Sequence, residues 1–142
     1  MDNVIVIYSS VDYFIDFFRN KNIKVYKLLK KEGLFLKLLR NIARKLNISS
    51  DFFFGEWKKE IVKDNIEYAI VFANNEKAVL NYLHKKNIKI IYFYWNPVKI
   101  YKEGFPTNLP DYCDKWSFDR NDCEKYNLKF NTTFYFDNIK LP

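Results

Sequence analysis

Polar side chains and a tryptophan follow several apolar, strand-like runs of the chain, directly where each run ends. If those strands are parallel, their carboxyl ends meet at one edge of a sheet, where helix amino-termini point free N–H groups at a ligand. Hydroxyl and amide groups hydrogen-bond sugar hydroxyls or a phosphate, and an indole ring stacks on the apolar face of a sugar. The sequence therefore predicts a ligand crevice lined by Ser9, Ser10, Asn74, Asn75, Trp95 and Asn96.

The same edge offers an acidic residue, Asp119, as a candidate catalytic general base. A base must come within about 3 Å of the hydroxyl that it activates, directly or through one water. Asp119 also precedes a helix-like stretch, 120–126, so capping of that helix is a second explanation of its carboxylate. Other predicted ligand-binding residues also have structural explanations: Ser9 or Ser10 can cap a helix, and the Trp95 ring can serve packing.

Residue counts and missing motifs exclude several other kinds of site. With 2 Cys and 1 His, the chain lacks the ligands of a structural zinc site, and we predict no metal site. With 3 Gly, it cannot build a glycine-rich phosphate loop, and no serine stands in a nucleophile elbow. His84 precedes Lys85 and Lys86 in a helical pattern, which favours a surface position over a role as a base. Both cysteines are expected to be free thiols.

Strand-like and helix-like stretches alternate along the chain, which indicates an α/β fold. The strand-like runs are almost continuously apolar, as in the strands of a parallel sheet that helices cover on both faces. The sequence thus predicts one Rossmann-like domain over residues 1–142, a three-layer sandwich. Its mainly parallel sheet should have about five strands, with Val4–Ile7 central.

The chain is basic, with 24 Lys and Arg against 17 Asp and Glu. Its basic residues concentrate between Lys27 and Lys45, in a helix-like stretch with an apolar stripe on one face and the cations largely on the other. Such a helix binds an anionic membrane surface, or it covers the core with its stripe while its cations are solvated. No apolar run approaches the roughly 20 residues of a membrane span, and the amino-terminus lacks signal-peptide features. We therefore expect a cytoplasmic protein, peripheral at the inner face of the cell membrane if the helix binds it. The membrane-facing candidates are Lys37, Arg40, Arg44 and Lys45.

Four segments in the second half of the chain carry a family resemblance. They are Tyr-Ala-Ile-Val-Phe-Ala from residue 68, Ile-Ile-Tyr-Phe-Tyr-Trp-Asn-Pro from 90, Trp-Ser-Phe-Asp-x-x-Asp-Cys-x-x-Tyr-x-Leu from 116 and Asn-Thr-Thr-Phe-Tyr-Phe from 131. In this order they resemble the amino-terminal half of bacterial glycosyltransferase-like proteins of capsule and lipopolysaccharide biosynthesis, which are related to the CgeB group. The resemblance covers residues 67–136, and the first 66 residues agree only in general layout.

The resemblance implies a transferase of GT-B architecture whose acceptor-side domain is this chain. A sugar or lipid-linked sugar acceptor would be its partner. The nucleotide-sugar donor would bind a carboxyl-terminal domain that these 142 residues lack, so we expect no cofactor here and no activity of the isolated chain. Two alternatives stay open: a non-catalytic ligand- or protein-binding module that uses the same crevice, and a nucleic-acid-binding protein. Scattered basic residues and the absence of a known motif disfavour nucleic acid.

Overall fold

The computed structural model describes residues 3–9, 15–29, 33–46, 53–63, 65–72, 77–101 and 104–132. These residues form six strands and five α-helices that largely alternate along the chain. The strands are β1 (Val4–Tyr8), β2 (Lys24–Lys27), β3 (Tyr68–Phe72), β4 (Lys89–Tyr94), β5 (Cys113–Ser117) and β6 (Lys129–Phe130). The helices are α1 (Ile15–Asn20), α2 (Leu34–Lys45), α3 (Trp57–Lys63), α4 (Lys77–Lys85) and α5 (Arg120–Tyr126).

The six strands form one parallel sheet in the order β2-β1-β3-β4-β5-β6. Strand β1 is interior, because Val6 pairs with Val25 of β2 on one side and with Ile70 of β3 on the other, but it lies second in the order, next to the end strand β2, and not at the centre as predicted. The predicted Rossmann-like α/β fold is therefore confirmed, with one strand more than the expected five or so.

Helices cover the two faces of the sheet unequally. Strand β2 lies on one side of β1 and β3 on the other, so the connection from β1 to β2 and the connection from β2 to β3 run in opposite directions. Right-handed connections therefore place α1 on one face of the sheet and α3, α4 and α5 on the other. On the larger side, α3, α4 and α5 pack on alternate strand residues such as Ile5, Ile7 and Tyr92. On the smaller side, α1 packs on the intervening residues such as Val6 and Phe93.

The start of α3 is fixed against the residues that follow β2. The Gly55 N–H and the Trp57 indole N–H both donate to the Leu28 carbonyl, at 2.9 Å and 2.8 Å. The ring of Phe54 stacks on that of Trp57, with centroids 5.2 Å apart. Gly55 leaves no room for a side chain at this contact, because a Cβ there would stand 2.0 Å from the carbonyl oxygen of Lys27.

The connection from β4 to β5 contains two short 3-10 turns, Val98–Ile100 and Pro106–Asn108. The hydroxyl of Tyr94 donates to the carbonyl of Gly104 at 2.7 Å. The ammonium of Lys115 donates to the carbonyl of Pro106 at 3.1 Å. Side chains of β4 and β5 therefore hold the middle of this connection against the sheet.

Helix α2 presents its apolar stripe to solvent. Leu34 is 89% exposed, Phe35 71% and Leu38 57%, whereas Arg40 on the polar side is partly buried. The interpretation in which this stripe covers the core is therefore wrong, because the core is filled by α1, α3, α4 and α5. Within the described ranges, no helix is long and apolar enough to cross a membrane.

Candidate functional site

The carboxyl ends of the strands meet at one edge of the sheet, since all the strand pairs are parallel. The connections that leave this edge run in opposite directions on the two sides of the β1–β3 pair, which makes this pair a topological switch point. Ligands of open parallel sheets bind at such a point. Ser9 is exposed directly after β1 at this point. The predicted residues Ser10, Asn74 and Asn75 lie outside the described residues.

Trp95 directly follows β4 and is partly buried at the same edge. Its ring meets the ring of Phe72 edge to face, with centroids 6.3 Å apart and planes at 73°. It also belongs to the apolar cluster on the smaller side of the sheet. Packing against Phe72 thus fixes the indole on one side, while the residue as a whole remains partly exposed.

Asn96 is held by an aromatic residue that the sequence reasoning did not single out. One N–H of its amide donates to the hydroxyl of Tyr101 at 3.2 Å. Tyr101 in turn contacts Tyr94 edge to face, with ring centroids 5.5 Å apart. The only sequence signal for this contact is a tyrosine five residues downstream, in a stretch that has neither a strand pattern nor a helix pattern. The amide is thereby directed to Tyr101, which packs against the cluster on the larger side of the sheet, whereas the Trp95 ring packs against the smaller one. Its second N–H and its carbonyl oxygen are further hydrogen-bonding groups.

The Asp119 carboxylate caps its own helix. Its Oδ1 accepts from the backbone N–H groups of Asn121, at 2.9 Å, and of Asp122, at 3.3 Å. Capping of this kind satisfies N–H groups that have no partner inside the helix. Because the cap occupies this carboxylate, the predicted role of Asp119 as a general base lapses.

The neighbouring carboxylates are directed to separate partners. Asp122 accepts from the backbone N–H of Val98 at 2.7 Å, and Asp114 pairs with Lys129 at 2.7 Å. Asp111 lies 3.9 Å from Lys115 and is fully exposed. In the part of the chain that the structure describes, no three His, Cys, Asp or Glu side chains converge on a point that could hold a metal ion.

The two cysteines are free, buried thiols. Burial raises the pKa of Cys113 to about 12, and the nearby Lys115 offsets only part of this rise. Burial likewise raises the pKa of Cys123 above its ordinary value. Because the thiolate is the reactive form, neither cysteine is suited to act as a nucleophile near neutral pH.

The indole N–H of Trp116 is buried and has no acceptor among the residues that the structure describes. Trp116 pairs in register with Phe93 and Lys129, and it belongs to the cluster on the smaller side. The ammonium of Lys129 lies over its ring, 5.5 Å from the centroid. This donor was not identifiable from the sequence, because indole burial depends on the neighbouring strands.

The predicted membrane-facing residues all lie on α2, as the sequence indicated. Lys37 and Lys45 are exposed, and Arg40 is partly buried. The side chain of Arg44 lies outside the description. Comparison with known proteins adds no assignment, since no family model, curated protein or solved structure matches this chain.

Proposed function

We propose that this chain binds a sugar or a lipid-linked sugar at the carboxyl edge of its sheet, as the acceptor-side domain of a glycosyltransferase-like protein of bacterial cell-surface polysaccharide synthesis. The observation that carries the proposal is the pair Trp95 and Asn96. One side of the indole is fixed by packing, and the adjacent amide is oriented by Tyr101 at 3.2 Å. A partly exposed tryptophan followed in the chain by a fixed amide suits the apolar face and the hydroxyls of a sugar.

The position of this pair supports the same proposal. Trp95 and Asn96 follow β4, and only β3 lies between β4 and β1, the strand that Ser9 follows at the switch point. A ligand on this edge would meet hydroxyl, amide and aromatic groups within a span of three adjacent strands. The resemblance over residues 67–136 supplies the reaction class, and a nucleotide-sugar donor would bind a separate carboxyl-terminal domain.

One observation favours a second candidate, a non-catalytic binding module that uses the same crevice. The candidate general base, Asp119, has its carboxylate occupied as a helix cap. Among the described residues at this edge, no predicted acid is therefore left to act as a general base. In this second proposal the chain binds a sugar without transferring it. Both candidates predict the same binding site, and they differ in whether a glycosyl group is transferred when a donor is present.

Calorimetric titration with the methyl glycosides of glucose, galactose and N-acetylglucosamine tests the binding site. We expect at least one glycoside to bind, and Trp95→Ala to weaken that binding about 2- to 10-fold, the value of one aromatic contact. Asn96→Ala should also weaken it, whereas Asn20→Ala, an exposed amide at the end of α1, should not. Unchanged affinity in Trp95→Ala, with only stability reduced, would show that this ring serves packing alone.

A further inference from the structure

The most unusual surface of the described chain is the exposed apolar stripe of α2. Seven large apolar side chains on this helix and at its end are exposed to solvent. A globular protein rarely leaves a contiguous apolar surface of this kind uncovered unless it binds something there. The residues of the stripe are Leu34, Phe35, Leu36, Leu38, Leu39, Ile42 and Leu46.

The charges of α2 indicate what covers this stripe. Residues 34–45 contain four cations, Lys37, Arg40, Arg44 and Lys45, and no acidic residue. Of these, Lys37 and Lys45 are exposed to solvent, and Arg40 is partly buried. The partner must therefore present negative charge together with an apolar region.

Three kinds of partner can be compared on these grounds. A second copy packed symmetrically would bring α2 against α2 and oppose like charges. Nucleic acid would pair with the cations, but its phosphate backbone would leave the stripe in water. An anionic bilayer accepts both, because the stripe can enter the acyl boundary while the cations meet lipid phosphates. A bilayer also requires no complementary surface shape, so a stripe made only of aliphatic and phenyl groups can insert into it.

We infer that α2 is a membrane-binding element that lies along an anionic bilayer surface with its apolar stripe inserted. Its 12 residues extend about 18 Å, far less than the roughly 30 Å of a bilayer core, so the helix lies in the interface plane. This inference is independent of the sugar site, because it depends only on the exposure and charge of α2.

Vesicle co-sedimentation of the full chain tests the inference, with vesicles of phosphatidylcholine alone and of phosphatidylcholine mixed with phosphatidylglycerol. We expect binding to the mixed vesicles to exceed binding to the neutral ones and to decrease as salt is added. Leu38→Asp should weaken binding by about tenfold or more. Ile100→Asp is the matched control, because Ile100 is also 57% exposed and lies outside α2, and its binding should equal that of the unmodified chain.

A second pair of variants tests whether the positive charge of α2 is required for binding to anionic vesicles. Lys37→Glu should weaken binding to the anionic vesicles at least fivefold, since each basic residue near such a surface contributes about that factor. Lys86→Glu, an equally accessible cation outside α2, should change it little. All of these side chains are exposed, and circular dichroism checks that each variant is folded.

Three results would overturn the inference. The first is equal binding to neutral and anionic vesicles, or binding to neither. The second is unchanged vesicle binding in Leu38→Asp. The third is a dimer in light scattering that Leu38→Asp dissociates while vesicle binding is absent, which would make α2 a self-association surface.

Discussion

Replacing Gly55 by alanine should destabilise the fold strongly. The new Cβ would lie 2.0 Å from the Lys27 carbonyl oxygen and 2.9 Å from Cδ1 of Trp57, so the chain on one side must move by about 1 Å or more. That movement breaks or stretches the bonds from the Gly55 N–H and the Trp57 indole to the Leu28 carbonyl. Each bond contributes about 1 kcal/mol net, and overpacking adds about 1–3 kcal/mol. We expect a loss of about 3–5 kcal/mol in the free energy of unfolding.

Thermal and urea denaturation followed by circular dichroism measure this loss. At about 3 °C per kcal/mol for a chain of this size, Tm should fall by about 10 °C. Gly33→Ala is the matched control, because a Cβ there has no atom within 4 Å. The Gly33 carbonyl accepts the first bond of α2, from the Lys37 N–H, so the change affects only the cap and the unfolded chain, within about 1 kcal/mol. A Tm of Gly55→Ala within about 2 °C of the unmodified chain would refute the close approach.

Three further predictions concern the residues around the sheet edge. Asp119→Ala should cost about 1 kcal/mol of unfolding free energy in urea titrations, and Asp119→Asn much less, because asparagine also caps helices. Asp122→Ala should cost about 1.5–3 kcal/mol, since it leaves the Val98 N–H without its charged acceptor, and a loss equal to that of the exposed Asp111→Ala would contradict the contact. Because burial raises the pKa of Cys113 from about 9 to about 12, the folded state holds this proton more tightly than the unfolded state does. Unfolding free energy should therefore be at its full value below about pH 9 and decrease as pH rises towards 12. Cys113→Ala should make the decrease smaller, and identical pH curves would refute this cause.

The elements whose patterns are local were predictable from the sequence. The apolar run from Ile88 to Tyr94 predicts a strand, and helical spacing after Asn75 predicts a helix; β4 and α4 match these stretches within a few residues. The same spacing predicts Val79, Tyr82 and Leu83 on the inward side; Val79 and Leu83 are buried and Tyr82 is partly buried. The parallel arrangement followed from the strand–helix alternation, which permits few other sheets.

What the sequence could not provide are contacts between distant residues and the orientation of helices. The bond from the Val98 N–H to Asp122 joins residues 24 positions apart and leaves no local signal. The amphipathic pattern of α2 predicted the helix but not the side on which its stripe lies, because exposure depends on whether other helices already fill the core. At Asp119, capping and catalysis require the same residue type, so only the geometry distinguished them.

Amide chemical shifts of the 15N-labelled chain during titration with the methyl glycosides test the proposed site most directly. If the site lies at the carboxyl edge, the shifts should concentrate at Ser9, at Asn96 and at the indole N–H of Trp95. The amides of Glu67 and Ile88, which precede β3 and β4 at the opposite edge, should stay unchanged. Shifts confined to that opposite edge, or none at millimolar glycoside while nucleic acid or a protein partner binds, would contradict the account.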